Sequence, residues 1–174
     1  MKMKNVKTIV AAGGKVVCKK KEAVIGAVVK YKNKNSILTV YHLIRVANCD
    51  LGDYVKLDGF RGWVAEILFD HDLAVIESEV PTSNLEYSRI DNPQIGSAHA
   101  LNGDKKIPCN IMTVGRTFHY LSFAPKSIPL PGDSGSPIIQ ERKIVGILSS
   151  IFYSNATGFA ISLEPFENAE DEEK

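Results

Sequence analysis

The sequence predicts an all-β protein built as two lobes, and three observations carry this. Apolar residues come in short bursts rich in Val, Ile, Tyr and Phe; turn residues punctuate the bursts; and no long window holds a helical period outside the acidic tail. Many short strands with such punctuation make a sandwich or a barrel, because each strand must bury one face against another element.

The strand candidates run in order along the chain. "KVVCKK" (15–20) follows a Gly-Gly pair, and "AVIGAVVKYK" (23–32) and "SILTVYHLI" (36–44) flank the polar "KNKN". "YVKLDGF" (54–60), "WVAEILF" (63–69) and "LAVIES" (73–78) complete the first group. The stretch "VPTSNLEYSRIDNPQIG" (80–96) is polar, carries two prolines and is the least strand-like segment, so it reads as a crossover. A second group follows: "CNIMTVG" (109–115), "FHYLSFA" (118–124), "SPIIQ" (136–140), "KIVGILSSIFY" (143–153) and "GFAISL" (158–163). The expected layout is a lobe over 1–80, a crossover over 81–96, a second lobe over 97–166 and an acidic tail over 167–174.

Composition excludes several classes of function. The chain has 174 residues, 44% hydrophobic and 24% charged, as a soluble globular protein does. Its 21 Lys and Arg against 20 Asp and Glu leave a net charge of +1, which argues against a global nucleic-acid footprint. The basic start, including Lys2, Lys4 and Lys7, and the turn Lys19, Lys20 and Lys21 read as solvated ends; an RNA-binding role for them is the minority alternative. No apolar run is long enough to span a membrane, and no cluster of ligands has metal spacing, so neither a metal nor a cofactor is expected. Cys18, Cys49 and Cys109 are odd in number and far apart, so three free thiols in a reducing, intracellular compartment are expected.

The densest turn chemistry is "LPGDSGSPII" (130–139), with two glycines, two prolines, an aspartate and two serines ahead of an apolar run. A surface loop needs only one or two such residues. A rigid backbone that presents amide N–H groups beside a serine hydroxyl needs more, and that arrangement serves acyl transfer. Such a serine requires a base and an acid to orient it. Among His42, His71, His99 and His119, His42 closes the strand "SILTVYH", where a side chain can emerge at a barrel rim. Asp70 and Asp72 in "DHDLAVI" are the candidate acids, and Asp72 directly precedes the apolar run.

"TVYH", "DLAVI" and "GDSGSP", in the order His, Asp, Ser, resemble the chymotrypsin-like serine proteases over most of the chain, from about residue 15 to residue 166. The resemblance implies two antiparallel six-stranded β-barrels with the active site in the cleft between them. It implies His42 as general base, Asp72 as its orienting acid and Ser134 as nucleophile, with the N–H groups of Gly132 and Ser134 as the oxyanion hole. Ser136 is the alternative nucleophile. "KIVGILS" is similar to the family's substrate-binding strand and sets Ser149 near the aspartate. The specificity pocket is implied at Ile128, Ser149, Ser150, Ile151 and Gly158 to Ala160. Ile128 stands where trypsin-like members have an aspartate, and Leu148 where glutamine-specific viral members have a histidine. A small or medium apolar residue before the scissile bond is therefore expected, against the alternative of an acidic residue met by Lys126 or Arg116.

The chain departs from secreted digestive members of that family. Leu43 follows the histidine where they have a cysteine, and no basic residue precedes Ile9 to make "TIVAAGG" an activation site. Asp133 must then find a partner other than a new N-terminus. The compact, cysteine-poor pattern is similar to proteases of positive-strand RNA virus polyproteins, which implies a polypeptide substrate and polyprotein segments as partners. A bacterial or phage trypsin-like protease and a catalytically silent two-barrel binding module are the alternatives.

Overall fold

The computed structural model describes residues 7–166, so Lys2, Lys4 and the acidic tail at 167–174 lie outside the described residues. Among the described residues thirteen strands form two antiparallel sheets. The first holds β1 (Lys15–Cys18), β2 (Lys21–Val24), β3 (Ala27–Tyr31), β4 (Lys34–Val40), β5 (Tyr54–Leu57), β6 (Phe60–Leu68) and β7 (Leu73–Ser78), in the order β2-β1-β5-β6-β7-β4-β3. β2 and β3 stand at opposite ends of that order, yet only Ile25 and Gly26 separate them in the chain. Ile25 N–H bonds back to Gly14 at 2.7 Å, and Gly26 N–H bonds forward to Leu38 at 2.8 Å. The two halves are one bent strand, so the seven-stranded sheet curls round on itself.

The second sheet is a closed barrel of β8 (Gly96–Asn102), β9 (Lys105–Thr113), β10 (Phe118–Phe123), β11 (Pro137–Gln140), β12 (Lys143–Phe152) and β13 (Thr157–Ile161), ordered β10-β13-β12-β11-β8-β9. Between the sheets the chain runs through a single 3₁₀ turn, Thr82–Asn84, with bridges from Leu85 to Val10 and from Ile90 to Ile144.

Side-chain alternation sorts three cores. Val16, Ile25, Ile37, Val64 and Ile76 fill the first lobe, and Ile107, Ile111, Leu121, Ile138 and Leu148 fill the second. A third core lies between the lobes, where Leu38, Val40, Leu73 and Val75 of the first meet Ile147, Ile161, Leu163 and Phe166 of the second. β4 and β7 thus send alternate residues to two different interiors, which makes both strands almost continuously buried. The interlobe core fixes the two lobes against each other, and the ends of β4, β7 and β12 meet along this seam.

Two expectations need correction here. Cys18 and Cys49 form a disulfide, with Cα atoms 6.7 Å apart, and Cys109 is the free cysteine. The reason is topological: the β1–β2 hairpin carries Cys18 to the segment that leaves the helix α1 (Tyr41–Val46) at Cys49, a proximity that sequence distance conceals. The strand "SILTVYH" also ends earlier than expected, at Val40, and His42 is the second residue of α1. No helix among the described residues is long and apolar enough to cross a membrane.

Candidate active site

Asp72 organises the first half of the site. It sits in the left-handed region at φ 52°, ψ 37°, at the end of a 3₁₀ turn, Phe69–His71, and immediately before β7. An aspartate tolerates that backbone better than most residues do. There its carbonyl accepts the Tyr41 N–H at 2.8 Å and its Oδ1 accepts the His42 N–H at 2.9 Å. Both are first-turn N–H groups of α1, which no residue within the helix can satisfy. Asp72 therefore caps the helix that carries the histidine, and its Oδ2 lies 2.7 Å from the ring Nδ1 of the same His42. This geometry is consistent with a tautomer in which Nδ1 carries the proton and Nε2 is free to accept one. Asp70, the alternative acid, is exposed on the 3₁₀ turn.

Ser149 completes the carboxylate's shell from the second lobe. The β12–β13 pairing slips between Leu148 and Ser150, and a bulge of this kind re-aims a side chain. The Ser149 hydroxyl donates to Asp72 Oδ2 at 2.7 Å. Burial pushes the Asp72 pKa upward, but the hydrogen bonds from His42 and Ser149 and the His42 backbone N–H outweigh it and hold the carboxyl below its ordinary 3.8.

Ser134 lies on the same cleft as His42, Asp72, Ser149, Ser150, Ile151 and Pro131. Its loop is fastened from both lobes: the Ser134 carbonyl accepts the Val24 N–H at 3.2 Å, and Gly135 N–H donates to Leu148 at 2.8 Å. Gly135 has φ +94°, and a Cβ there would collide with the Val24 carbonyl, so the position after the serine admits only glycine. Ser136 is fully buried with its hydroxyl on the Asp133 carbonyl, which removes it as a nucleophile. Cys109 is buried in the second lobe's core, where its thiol is pushed up to about 12, so it is no nucleophile either.

Asp133 is 2% exposed and fully partnered. Asn102 Nδ2 donates to its Oδ1 at 2.9 Å, while Lys105 Nζ at 2.9 Å and the Leu130 N–H at 2.7 Å share its Oδ2. Burial raises this carboxyl's pKa, and the bonds from Asn102, Lys105 and Leu130 more than reverse that, so it stays ionised. The two partners flank the β8–β9 turn, with Asn102 paired to Lys105 in register. Sequence reading required a partner for Asp133 without identifying one; the lysine in "NGDK" was the available signal.

The oxyanion positions differ from a ready anion site. Pro131–Asp133 forms one 3₁₀ turn, and the Ser134 N–H faces the Pro131 carbonyl at 3.5 Å. The pocket residues are partly assembled: Ser150 and Ile151 line the cleft, Ile151 pairs with Gly158, and Ile128 and Ile151 pack on the second lobe's core beside Phe123. Arg116 and Lys126 are exposed and do not line the cleft. Lys19, Lys20 and Lys21 sit exposed on the β1–β2 hairpin, where Lys19 bonds the Asn48 carbonyl. Among the described residues no group of three or more His, Cys, Asp and Glu could hold a metal ion.

No protein-family model matches the sequence, and no curated protein is significantly similar to it. The fold, by contrast, has clear likenesses. The chain superposes on the Nocardiopsis protease NAPase with a TM-score of 0.71 and 16% identity, covering 94% of this chain and 97% of that one. Thermobifida fusca protease A gives 0.72 at 13% identity, covering 95% and 97%. The Cellulomonas bogoriensis chymotrypsin gives 0.67 at 14% identity, covering 93% and 96%. The two-lobed architecture described above is that of the chymotrypsin-like serine proteases.

Proposed function

We propose that the chain is a serine endopeptidase that works through an acyl-enzyme intermediate. The observation that carries this is the Asp72 carboxylate holding His42 Nδ1 at 2.7 Å on the cleft that Ser134 lines. Ser134 Oγ attacks the scissile carbonyl as His42 Nε2 takes its proton, and the protonated imidazole returns that proton to the leaving amine. Water then enters and attacks the acyl carbonyl as its proton passes to the same nitrogen; the Ser134 Oγ–acyl bond breaks, the imidazolium returns that proton to Ser134 Oγ, and the acid leaves. Asp72 stays ionised throughout and stabilises the imidazolium, which its capping bonds and Ser149 keep in place. A silent binding module would have no use for the Asp72–His42 pair and Ser134 on one cleft, which favours the enzyme over that alternative.

Ile128, Ile151 and Phe123 gather apolar surface beside Gly158, which supports a small or medium apolar residue before the cut. The likeness to bacterial proteases supports a bacterial or phage enzyme, and the compact sequence pattern supports a polyprotein-processing one; cleavage at the chain's own flanking sequences separates them. The Cys18–Cys49 bond favours an oxidising compartment over the reducing one that three thiols implied. The test of the activity is labelling by a fluorophosphonate probe. Modification at Ser134 that both Ser134→Ala and His42→Ala abolish supports the reading, and an unlabelled, folded wild-type protein overturns it.

A further inference from the structure

The outer face of the second lobe meets two different surroundings along its length. Ile147 and Ile161, opposite each other on β12 and β13, point away from the barrel interior and are buried in the interlobe core. Farther along the same strands the first lobe no longer covers that face, and there it carries aromatic rings. Phe159 stands at their centre, with the ring centroids of Phe118, Tyr120 and Phe152 at 6.1, 5.6 and 5.5 Å and interplanar angles from 54° to 88°. Such tilted and edge-on contacts are the favoured geometries of packed rings. Phe118, Phe152 and, on the adjoining β9, Met112 are nevertheless between 38% and 50% exposed.

Charge is missing from this face. Residues 107–115, 117–125 and 144–163, which supply nearly all of β9, β10, β12 and β13, hold no Lys, Arg, Asp or Glu in a chain that is 24% charged. Their one histidine, His119, points into the barrel and is buried. The solvated side of an antiparallel sheet ordinarily carries polar and charged residues. The first lobe follows that rule, with Lys56 and Arg61 opposite each other and exposed on β5 and β6. Aromatic residues and Met without Lys, Asp or Glu are instead the composition of the buried centre of a protein–protein interface.

We propose that the β9–β10–β13–β12 face joins two copies of this chain about a two-fold axis. In such a contact the same patch meets itself, so any charge on it would lie close to its own like. This face has none to repel. A membrane surface is the poorer match, because anionic lipid is bound by Lys and Arg beside the apolar residues, and only Arg116, between β9 and β10, is available along residues 107–125. Four strands and four or five residues of each cover roughly 19 Å by 15 Å. That gives a few hundred Å² per copy, below the roughly 800 Å² per partner of a standard interface, so the dimer is weak and reversible. Ser150 pairs with Phe159 and also lines the cleft of His42 and Ser134, so the partner copy borders that cleft. The contact does not depend on the peptidase reading.

Sedimentation velocity of the wild-type protein from about 10 μM to about 1 mM tests it, a span that covers the association expected of a contact this small. The sedimentation coefficient should rise with concentration toward that of a dimer. Phe152→Lys and Met112→Lys should each raise the dimer Kd about tenfold or more, because an ammonium buried without a partner is penalised. Melting temperatures at low concentration report whether each variant is folded. Met112 makes none of the ring contacts, so its variant decides the matter if Phe152→Lys does not fold. A wild type that stays monomeric throughout overturns the proposal, as does a folded variant whose Kd lies within about threefold of wild type. Flotation with phosphatidylserine-containing vesicles separates the lipid alternative. No vesicle binding is expected, and binding by a monomer that Phe152→Lys abolishes assigns the face to a membrane and overturns the dimer.

Discussion

Ser149 donates its hydroxyl to Asp72 Oδ2 at 2.7 Å, and the donor and acceptor belong to different lobes. The same oxygen faces His42 Nδ1, so the second lobe holds in place the carboxylate that bonds the first lobe's imidazole. Ser149→Ala should lower kcat about tenfold and cost roughly 1.5–3 kcal/mol, the range for a hydrogen bond to a charged group. Asp72 has a depressed pKa, so its stabilising contribution is present above the ordinary 3.8 and lost as pH falls through the folded value. Without Ser149 the folded pKa should move back toward 3.8, so the contribution should be smaller and its loss complete at higher pH. An acid unfolding curve identical to wild type would show that the bond contributes nothing.

Asp72→Asn should be far more severe, about 10⁴ in kcat, because an amide favours the wrong imidazole tautomer. It should also loosen α1, since an amide oxygen is a weaker acceptor for the His42 N–H than a carboxylate. Asp70→Asn should leave activity near wild type, because Asp70 is exposed and outside the cleft. Steady-state kinetics of the two variants decide the assignment, and the reverse ranking contradicts it.

Lys105 is half exposed while Asp133 is buried, so the two ends of their ion pair should respond differently. Lys105→Met leaves the carboxylate with Asn102 and Leu130 as donors and should cost about 1–2 kcal/mol, below the range for breaking a fully buried pair. Asp133→Ala strips three donors at once, frees the Leu130 end of the serine loop and should cost about 3 kcal/mol or more. Lys105→Arg should recover most of the loss. Denaturant unfolding measures all three, and equal losses for Lys105→Met and Asp133→Ala would refute the argument.

The Cys18–Cys49 bond closes a loop with a sequence separation of 31, which restricts the unfolded chain by about 3–4 kcal/mol on the loop-entropy scale. The loop includes the whole path from β1 to the end of α1, and with it His42. Reduction, or paired Cys18→Ser and Cys49→Ser, should lower the melting temperature by several degrees. Cys109→Ser should leave the response to reductant intact. A melting temperature indifferent to reductant would contradict the bond.

How much of this was legible in the sequence depended on whether the cause was local. The strands of the second lobe show in β9 and β10, where buried and exposed residues alternate along "KKIPCNIMT" and "FHYLSF". β4 and β7 hide their alternation, because Leu38 and Val75 enter the interlobe core while Ile37 and Ile76 enter the first lobe's own. His42, Asp72 and Ser134 could be picked out as candidates because each stands in a dense local motif, and the fold brings the three to one cleft. α1 was not: six residues are too few for a helical period, and its N-terminus is capped by Asp72 from a distant segment. Lys105, Asn102 and the Cys18–Cys49 pair were hidden for the same reason, since only the folded sheet brings each to its partner.

His119 gives the fold a pH limit unrelated to the site. Its ring is 2% exposed inside the second lobe; Nδ1 accepts the Gly115 N–H at 3.2 Å, and the buried Nε2 has no hydrogen-bond partner among the described residues. Burial disfavours the charged imidazole and pulls its pKa below the ordinary 6.5. In the unfolded chain the ring protonates freely, so the unfolded state binds the extra proton first. The contribution of neutral His119 is therefore complete above pH 6.5 and declines as pH falls toward the folded value, at up to about 1.4 kcal/mol per pH unit. His99, shifted the same way by partial burial and Lys106, adds to the slope. His119→Gln keeps an acceptor for Gly115 and does not titrate, so unfolding free energies between pH 7.5 and 5 should fall less steeply in the variant than in wild type. His99→Gln serves as the control for the smaller share, and parallel slopes for His119→Gln and wild type would show that the buried ring does not set the limit.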